Sequence, residues 1–250
     1  MPFPDHVFDH TPALRGLITP PDQSEMRFGL DRYAELDAQA AEEGWPPGWR
    51  MDHDDREANR QAILAERFDK DLWVFAYGSL IWDPAVYVAE YRYARLPGWR
   101  RSFCMRLEGG RGTRDKPGLM AALDCGGACD GVVIRIAAEL VDQETRFMWY
   151  REMFAGAYRP LFLNVETPQG PVQALCFTMN HDNPRYCPDL DVHVAARMIA
   201  EASGNLGPNF DYLDALMRHL DELGIHDDAM RDLHHKAKEY RETLPPRSQT

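Results

Sequence analysis

A glycine-serine turn that follows an apolar segment is the first candidate for chemistry in this chain. Residues 72–75 are typical of a buried strand, and the chain then breaks at Tyr77, Gly78 and Ser79. Because glycine adopts backbone angles that other residues avoid, such a turn can point successive N–H groups into one space. N–H groups gathered at a strand end can bind a carboxylate or stabilise a developing oxyanion. A purely structural turn is the alternative interpretation of this stretch.

Glu152 is the second candidate, because its surroundings favour a protonated carboxyl group. It lies near the end of a predicted helix, between Trp149 and the small residues 155–157. Lost hydration among aromatic side chains and the partial negative charge at a helix C-terminus both raise the pKa of a carboxyl group. A pKa near neutrality suits a general acid/base. The alternative is a surface glutamate paired with Arg151 or Arg159.

A basic, glycine-rich segment spans residues 106–114 and includes Arg106, Arg111 and Arg114. An arginine beside flexible backbone can hold a substrate carboxylate through two parallel hydrogen bonds. An exposed basic hairpin loop is the alternative. The segment lacks the Gly-Lys-Ser/Thr ending of a phosphate-binding loop, which argues against that kind of site.

Residue spacing predicts no metal site and no activated nucleophile. Cys125 and Cys129 are one residue further apart than the commonest zinc-binding pair, and no second Cys/His pair follows at a suitable distance. The chain has no Gly-x-Ser-x-Gly elbow and no convincing Cys/His pair. Ser79 is a nucleophile only in principle, because the sequence offers no obvious base for it.

Composition and charge exclude several functional classes. The net charge of −12 argues against general binding of nucleic acids, which needs a basic face, and against binding to anionic membrane surfaces. No apolar run approaches the roughly 20 residues that span a bilayer, and the N-terminal residues do not resemble a signal peptide. Five cysteines, an odd number without a dense framework, predict reduced thiols in a cytoplasmic protein.

The chain divides into three parts by composition. Residues 1–70 are rich in proline and acidic clusters and form a predicted, partly helical extension, with helices at about 31–43 and 55–68. We expect this extension to pack on the outside of a domain or to stay partly mobile. Residues 71–242 form the main predicted domain, and residues 243–250 a predicted flexible tail.

The main domain alternates strand and helix patterns that indicate an α+β fold. Predicted strands are 72–77, 91–107, 119–123, 130–136, 158–166 and 172–179, separated by Pro-Gly and Gly-Gly turn signals. Predicted helices are 137–153, 190–203, 210–223 and 227–242. Strands first, one central helix and then C-terminal helices favour a curved or closed sheet with flanking helices.

Taken together, these segments resemble the ChaC-type gamma-glutamylcyclotransferases. The match runs in order from about residue 73 to 233, and its combination of Tyr-Gly-Ser-Leu with Arg-Glu-Met is specific. The matching segments are 74–82, 101–104, 111–113, 117–119, 131–132, 151–153 with Gly156 and Tyr158, and the later segments 205–208, 212–213 and 223–225. Ala76 departs from the pattern, because the family often has glycine there. The extension lies outside the match.

The resemblance implies a gamma-glutamylcyclotransferase-like fold, a small mixed β-barrel with flanking helices and a C-terminal helical segment. It implies cleavage of glutathione to 5-oxoproline and cysteinylglycine without a cofactor, with Glu152 as the catalytic acid/base. The substrate-binding residues that we expect from the resemblance are Phe75, Ala76, Tyr77, Gly78, Ser79, Leu80, Arg111 and Tyr158. Two alternatives stay open, a cyclotransferase for other gamma-glutamyl amino acids or amines, and a non-catalytic regulatory protein. The sequence does not indicate the oligomeric state.

Overall fold

A strongly curled sheet of five strands forms the centre of the computed structural model, which describes residues 3–244. The strands are β1 (Leu72–Ala76), β2 (Glu90–Leu107), β3 (Gly118–Ile136), β4 (Tyr158–Val165) and β5 (Val172–Met179). Their order is β2-β3-β1-β5-β4. The β1–β5 pair is parallel, and the β2–β3, β1–β3 and β4–β5 pairs are antiparallel. The mixed sheet agrees with the predicted α+β class.

The two edges of the sheet meet at one residue pair. Arg95 in β2 and Glu166, directly after β4, exchange two backbone hydrogen bonds of 2.9 Å each. Leu123 of β3 also pairs with Thr178 of β5. These pairings curl the sheet into a half-barrel whose edges touch, which confirms the small mixed barrel expected from the sequence.

The long strand β3 corrects one sequence-based prediction. Two strands, 119–123 and 130–136, were predicted on either side of a turn, but β3 is continuous from Gly118 to Ile136. Glycines 126 and 127 do have positive φ values, +103° and +69°. The register against β2 shifts beside them, between Pro97 and Trp99. The glycines therefore form a bulge, which bends the strand while pairing continues on both sides.

Six α-helices surround the sheet within residues 3–244. They are α1 (Leu30–Glu42), α2 (His53–Leu64), α3 (Val141–Glu152), α4 (Val192–Glu201), α5 (Asn209–Glu222) and α6 (Asp228–Thr243). Two short strands, β6 (Ser203–Gly204) and β7 (Gly207–Pro208), join α4 to α5. None of these helices is long and apolar enough to cross a membrane. The predicted tail 243–250 lies outside the described residues except for its first two.

The N-terminal helices α1 and α2 pack against α3. Tyr33 of α1 donates a 2.5 Å hydrogen bond to the carbonyl oxygen of Tyr150. On α2, the fully buried Arg60 donates at 2.8 Å to the Thr145 hydroxyl, and Asn59 accepts a 3.0 Å bond from the Trp149 indole. These hydrogen bonds hold α3 in place against the extension. Glu152, the predicted catalytic residue, is the last residue of that helix.

Candidate active site

One cavity of about 1070 Å³ brings most of the predicted site residues together. Seven of the predicted residues line it: Tyr77, Gly78, Ser79, Leu80, Arg111, Glu152 and Tyr158. Its walls come from the turn after β1, the end of α3, the loop between β2 and β3, and the extension. A volume at or above the roughly 300–1,000 Å³ of typical ligand pockets leaves room for a peptide-sized substrate.

The turn after β1 borders this cavity and carries N–H groups that donate to no backbone acceptor in the described part of the chain. Gly78, Ser79 and Leu80 donate no backbone hydrogen bond to any part of residues 3–244. The next N–H groups are paired, since Ile81 donates to the carbonyl oxygen of Gly78 and Asp83 donates to that of Ser79. Three neighbouring unpaired donors beside a cavity form an anion-binding surface.

Gly78 leaves space for a neighbouring side chain. Its φ of −132° and ψ of −138° belong to neither the helical nor the extended region. A Cβ at this position would lie 3.0 Å from the hydroxyl oxygen of Tyr212, tighter than ordinary contacts. A side chain at position 78 would therefore have to displace Tyr212 or the turn.

Arg101 holds the start of the turn in place. Its fully buried guanidinium donates 2.6 Å hydrogen bonds to the carbonyl oxygens of Tyr77 and Asp130, and it pairs at 2.5 Å with Asp227. These bonds connect the turn, β3 and the start of α6. A charged group tied by three partners resists movement, so the turn is positioned in advance of ligand binding.

Glu152 ends α3 inside the cavity and is nearly buried, with 12% of its side chain exposed. Burial raises the pKa of its carboxyl group above the ordinary value of 4.5, and the Arg151 guanidinium opposes that rise. The two side chains approach to 3.1 Å, from Nε to Oε1. Glu152 does pair with Arg151, as the alternative of a surface ion pair expected, but the pair lies inside the cavity and not on the surface.

Three buried tyrosines lie close enough to Glu152 for its charge to act on them. Burial is the main cause that raises the phenol pKa values of Tyr77, Tyr158 and Tyr212, in Tyr212 to about 12, and the charge of Glu152 adds to each rise. Tyr77 donates to the carbonyl oxygen of Phe177 at 2.9 Å, and Tyr158 to that of Ala121 at 3.0 Å. These phenols are therefore neutral near pH 7, and Tyr77 and Tyr158 already donate their protons to backbone carbonyl oxygens.

Phe75 and Ala76 lie behind the cavity rather than in its lining. Both are completely buried in β1. Ala76 pairs with Val132 as an ordinary strand residue, so its departure from glycine imposes no left-handed backbone. The carbonyl oxygen of Ala76 would be 2.4 Å from a Cβ at Gly131, which shows how closely β1 and β3 approach. Phe75 and Ala76 can therefore contribute to binding only by supporting the turn that follows them.

Arg111 lines the cavity beside Tyr212. Its Nη1 donates at 3.1 Å to the carbonyl oxygen of Pro208, and its guanidinium lies 5.9 Å from the Tyr212 ring centre. Burial lowers its pKa. No carboxylate within residues 3–244 lies within 4.0 Å of this guanidinium, so Arg111 is a cation available to an anionic ligand.

The sequence reasoning missed the wall that the extension contributes. Phe28, Trp45 and Trp49 line the cavity together with Phe154 and Arg185. The Trp49 ring lies 5.3 Å from the Phe154 ring in an edge-to-face arrangement. Two tryptophans flanking a pair of prolines are visible in the sequence, but no local pattern connects them to a site more than one hundred residues away.

Within residues 3–244, one cluster of potential metal ligands is found, and it lies outside the cavity. It comprises Asp124, Cys125 and His181, whose ligand atoms lie within 4.8 Å of one another. Asp124 is already paired with His181 at 2.9 Å and with Arg100 at 2.8 Å. The positive charge of Arg100 on the same carboxylate disfavours a metal cation. The absence of a metal and of a cofactor stays a prediction.

Comparison with known proteins identifies relatives of this chain. A family model described as ChaC-like protein matches residues 72–240. The glutathione-specific gamma-glutamylcyclotransferase of Escherichia coli (strain K12) is 43% identical over 180 residues, which cover 71% of this chain and 78% of that protein. The glutathione-specific gamma-glutamylcyclotransferase of Schizosaccharomyces pombe is 32% identical over 174 residues, covering 60% and 84%.

A solved structure shares the fold. The crystal structure of a yeast gamma-glutamyl cyclotransferase specific to glutathione matches with a TM-score of 0.64 and 20% sequence identity. The match covers 70% of this chain and 98% of the yeast chain. It confirms the predicted gamma-glutamylcyclotransferase-like fold.

Proposed function

This chain belongs to the ChaC-like family, and we propose that it is a gamma-glutamylcyclotransferase that cleaves glutathione to 5-oxoproline and cysteinylglycine. One observation carries the proposal. The nearly buried Glu152 carboxylate shares a cavity with the unpaired N–H groups of Gly78, Ser79 and Leu80. A proton acceptor and an anion-binding turn in one cavity are the two parts that this cyclisation needs.

The reaction joins two groups of one substrate molecule. The α-amine nitrogen attacks the γ-carbonyl carbon, the new C–N bond closes a five-membered ring, and the bond from that carbon to the cysteine nitrogen breaks. The protein mainly has to hold the bent conformer, and orientation of intramolecular groups can contribute roughly 7–11 kcal/mol. Glu152 accepts a proton from the attacking amine and returns one to the departing nitrogen, so no net proton is lost.

The turn and Arg111 are assigned to two different negatively charged groups of the substrate. We assign the N–H groups of Gly78, Ser79 and Leu80 to the oxyanion that forms on the γ-carbonyl, because backbone donors fixed in advance are most effective there. Arg111, which has no carboxylate partner within residues 3–244, is assigned to the α-carboxylate. Tyr158 and Tyr77 then act as neutral walls around the gamma-glutamyl group.

A cytoplasmic location is part of the same proposal. The cytoplasm holds glutathione, and all five cysteines of the chain are free thiols, as suits a reducing compartment. The substrate is the one partner that we propose. We propose no nucleic-acid or membrane partner, because the net charge of −12 argues against both.

A substrate panel tests the proposed function. The purified protein is incubated with glutathione, with gamma-glutamylalanine and with a gamma-glutamyl amine, and 5-oxoproline is measured by mass spectrometry. We expect release from glutathione at a kcat/KM well above that for the other two. Faster release from either of the others would make this a cyclotransferase of different specificity. Release from none of them would leave the non-catalytic alternative.

A further inference from the structure

Arg185 is a second cavity cation that the proposed chemistry leaves unused. Its Nη2 donates at 3.2 Å to the carbonyl oxygen of Trp49. Within residues 3–244 no carboxylate lies within ion-pair distance of its guanidinium, and Glu108, the acidic group whose charge acts on it, is paired with Arg106 at 3.1 Å. Burial lowers the pKa of Arg185. A largely desolvated cation without an anion binds a carboxylate more strongly than an exposed one.

The backbone around Arg185 is fixed to the segment that follows Glu152. Asn183 donates at 3.2 Å to the carbonyl oxygen of Gly156 and accepts a 3.0 Å bond from the Arg185 N–H. The carbonyl oxygen of Arg185 accepts a 2.8 Å bond from the N–H of Arg106 in β2. The guanidinium therefore projects from a rigid base on the Gly156 side of the cavity.

The extension completes this part of the cavity with aromatic rings. Trp49 packs edge-to-face on Phe154, and the Trp45 ring lies 5.9 Å from Trp49. The N–H of Met51 donates at 2.8 Å to the carbonyl oxygen of Phe154, which ties the extension to the chain two residues after Glu152. The result is an apolar wall with Arg185 beside it, next to the predicted reacting centre.

We propose that Arg185 and the Trp49–Phe154 wall form the subsite for the leaving cysteinylglycine, with Arg185 bound to the glycine carboxylate. The inference rests on the proposed function. Glutathione carries one carboxylate at each end, and Arg111 and the turn account for only the gamma-glutamyl end. The fork of an arginine matches the second carboxylate through two parallel hydrogen bonds. The extension thereby contributes to the choice between glutathione and shorter gamma-glutamyl compounds.

Arg114 is the competing cation, and it provides the matched control. It lines the same cavity and also donates to the extension, at 3.1 Å to the carbonyl oxygen of Gly44. Its guanidinium lies 4.2 Å above the centre of the Trp45 ring, and the residue is exposed. An exposed arginine gains less from a carboxylate because water screens the pair. We therefore assign the carboxylate to Arg185.

The test compares three substrates that differ only at the leaving end: glutathione, its glycine ethyl ester and gamma-glutamylcysteine. For Arg185→Met we expect the KM for glutathione to rise about 10- to 100-fold with little change in kcat, which corresponds to a lost charge-assisted hydrogen bond. The same variant should affect gamma-glutamylcysteine much less, because the carboxylate of that substrate lies one residue nearer the reacting centre. Wild type should lose a similar factor when the ester replaces glutathione. Arg185→Lys should recover part of the loss, and Arg114→Met should resemble wild type.

Binding measurements separate this inference from the proposed function. Calorimetry with Glu152→Gln and with Glu152→Gln/Arg185→Met measures affinity for glutathione and its ester without turnover. Arg185-dependent binding without any 5-oxoproline from wild type would overturn the function and keep the subsite. Equal losses on glutathione and gamma-glutamylcysteine, equal affinities for acid and ester, or a selective loss in Arg114→Met would overturn the subsite. No binding of glutathione at all would overturn both.

Discussion

The guanidinium of Arg151 lies 3.1 Å from the carboxylate of Glu152, measured from Nε to Oε1. The same guanidinium donates at 2.6 Å to the hydroxyl of Ser79 and also hydrogen-bonds the carbonyl oxygen of Asp83. One cation thus joins the end of α3 to the turn after β1. Burial raises the pKa of the Glu152 carboxyl group, and the charge of Arg151 limits that rise.

Glu152→Gln should remove turnover while glutathione still binds. Glutamine fills the same volume but accepts no proton, and loss of general acid/base catalysis costs roughly 10²–10⁴-fold in rate. The measurement is kcat by 5-oxoproline release, with glutathione affinity from calorimetry. Glu139→Gln, an exposed change just before α3, is the control and should match wild type. Activity of Glu152→Gln within a few-fold of wild type would remove Glu152 from the mechanism.

Arg151→Met should move the acidic limb of the pH–rate profile to higher pH. Because the Arg151 charge lowers the pKa of Glu152, its removal lets that pKa rise further, and the base becomes deprotonated only at higher pH. The profile of kcat/KM from pH 4 to 9 gives the shift. Ser79→Ala removes the 2.6 Å bond without the charge, and should reduce the rate by about 2- to 10-fold with the limb unmoved. A limb that stays in place in Arg151→Met would contradict the assignment of Glu152 as the base.

The stability of the protein should also report the buried carboxyl group. A folded-state pKa above the ordinary 4.5 means that ionisation of Glu152 costs stability as the pH rises through that folded-state pKa. Glu152→Gln lacks this loss. Its melting temperature relative to wild type should therefore increase between pH 4 and pH 8, as measured by thermal unfolding. A difference that is constant with pH would mean that the carboxyl group of Glu152 is not destabilised by burial.

Gly78→Ala should lower activity through contact with Tyr212. The new Cβ would lie 3.0 Å from the Tyr212 hydroxyl, tighter than an ordinary contact. Tyr212→Phe removes that hydroxyl, so the double variant should recover part of the activity lost by Gly78→Ala alone. Rates for wild type, both single variants and the double variant give the coupling. Strictly additive losses would show that the glycine serves another purpose.

The parts of the site that follow from local sequence were predictable. The segment 72–80 combines a buried strand with a glycine turn, and the aromatic surroundings of Glu152 indicate burial. Strand β5 was predicted with its observed bounds, because apolar runs between clear turn signals identify strands well. The turn predicted at Gly126 and Gly127 was wrong for a physical reason, since a positive φ is compatible with both a turn and a bulge.

The parts that depend on distant contacts were not predictable. The Arg95–Glu166 pair that brings the sheet edges together joins residues 71 positions apart, and no local pattern specifies it. The same holds for Trp49, whose carbonyl oxygen meets Arg185 from the other end of the chain. An arginine that is unpaired and desolvated looks the same in a sequence as one on the surface.

Product analysis of glutathione turnover tests the central claim most directly. Purified wild-type protein is incubated with glutathione, and 5-oxoproline, cysteinylglycine and free glutamate are quantified by mass spectrometry over time. The account predicts equal amounts of 5-oxoproline and cysteinylglycine from the first turnover onward, with no glutamate. Release of glutamate in place of 5-oxoproline would show hydrolysis by water, and bound but unchanged glutathione would show no catalysis. Either result would contradict intramolecular cyclisation at Glu152.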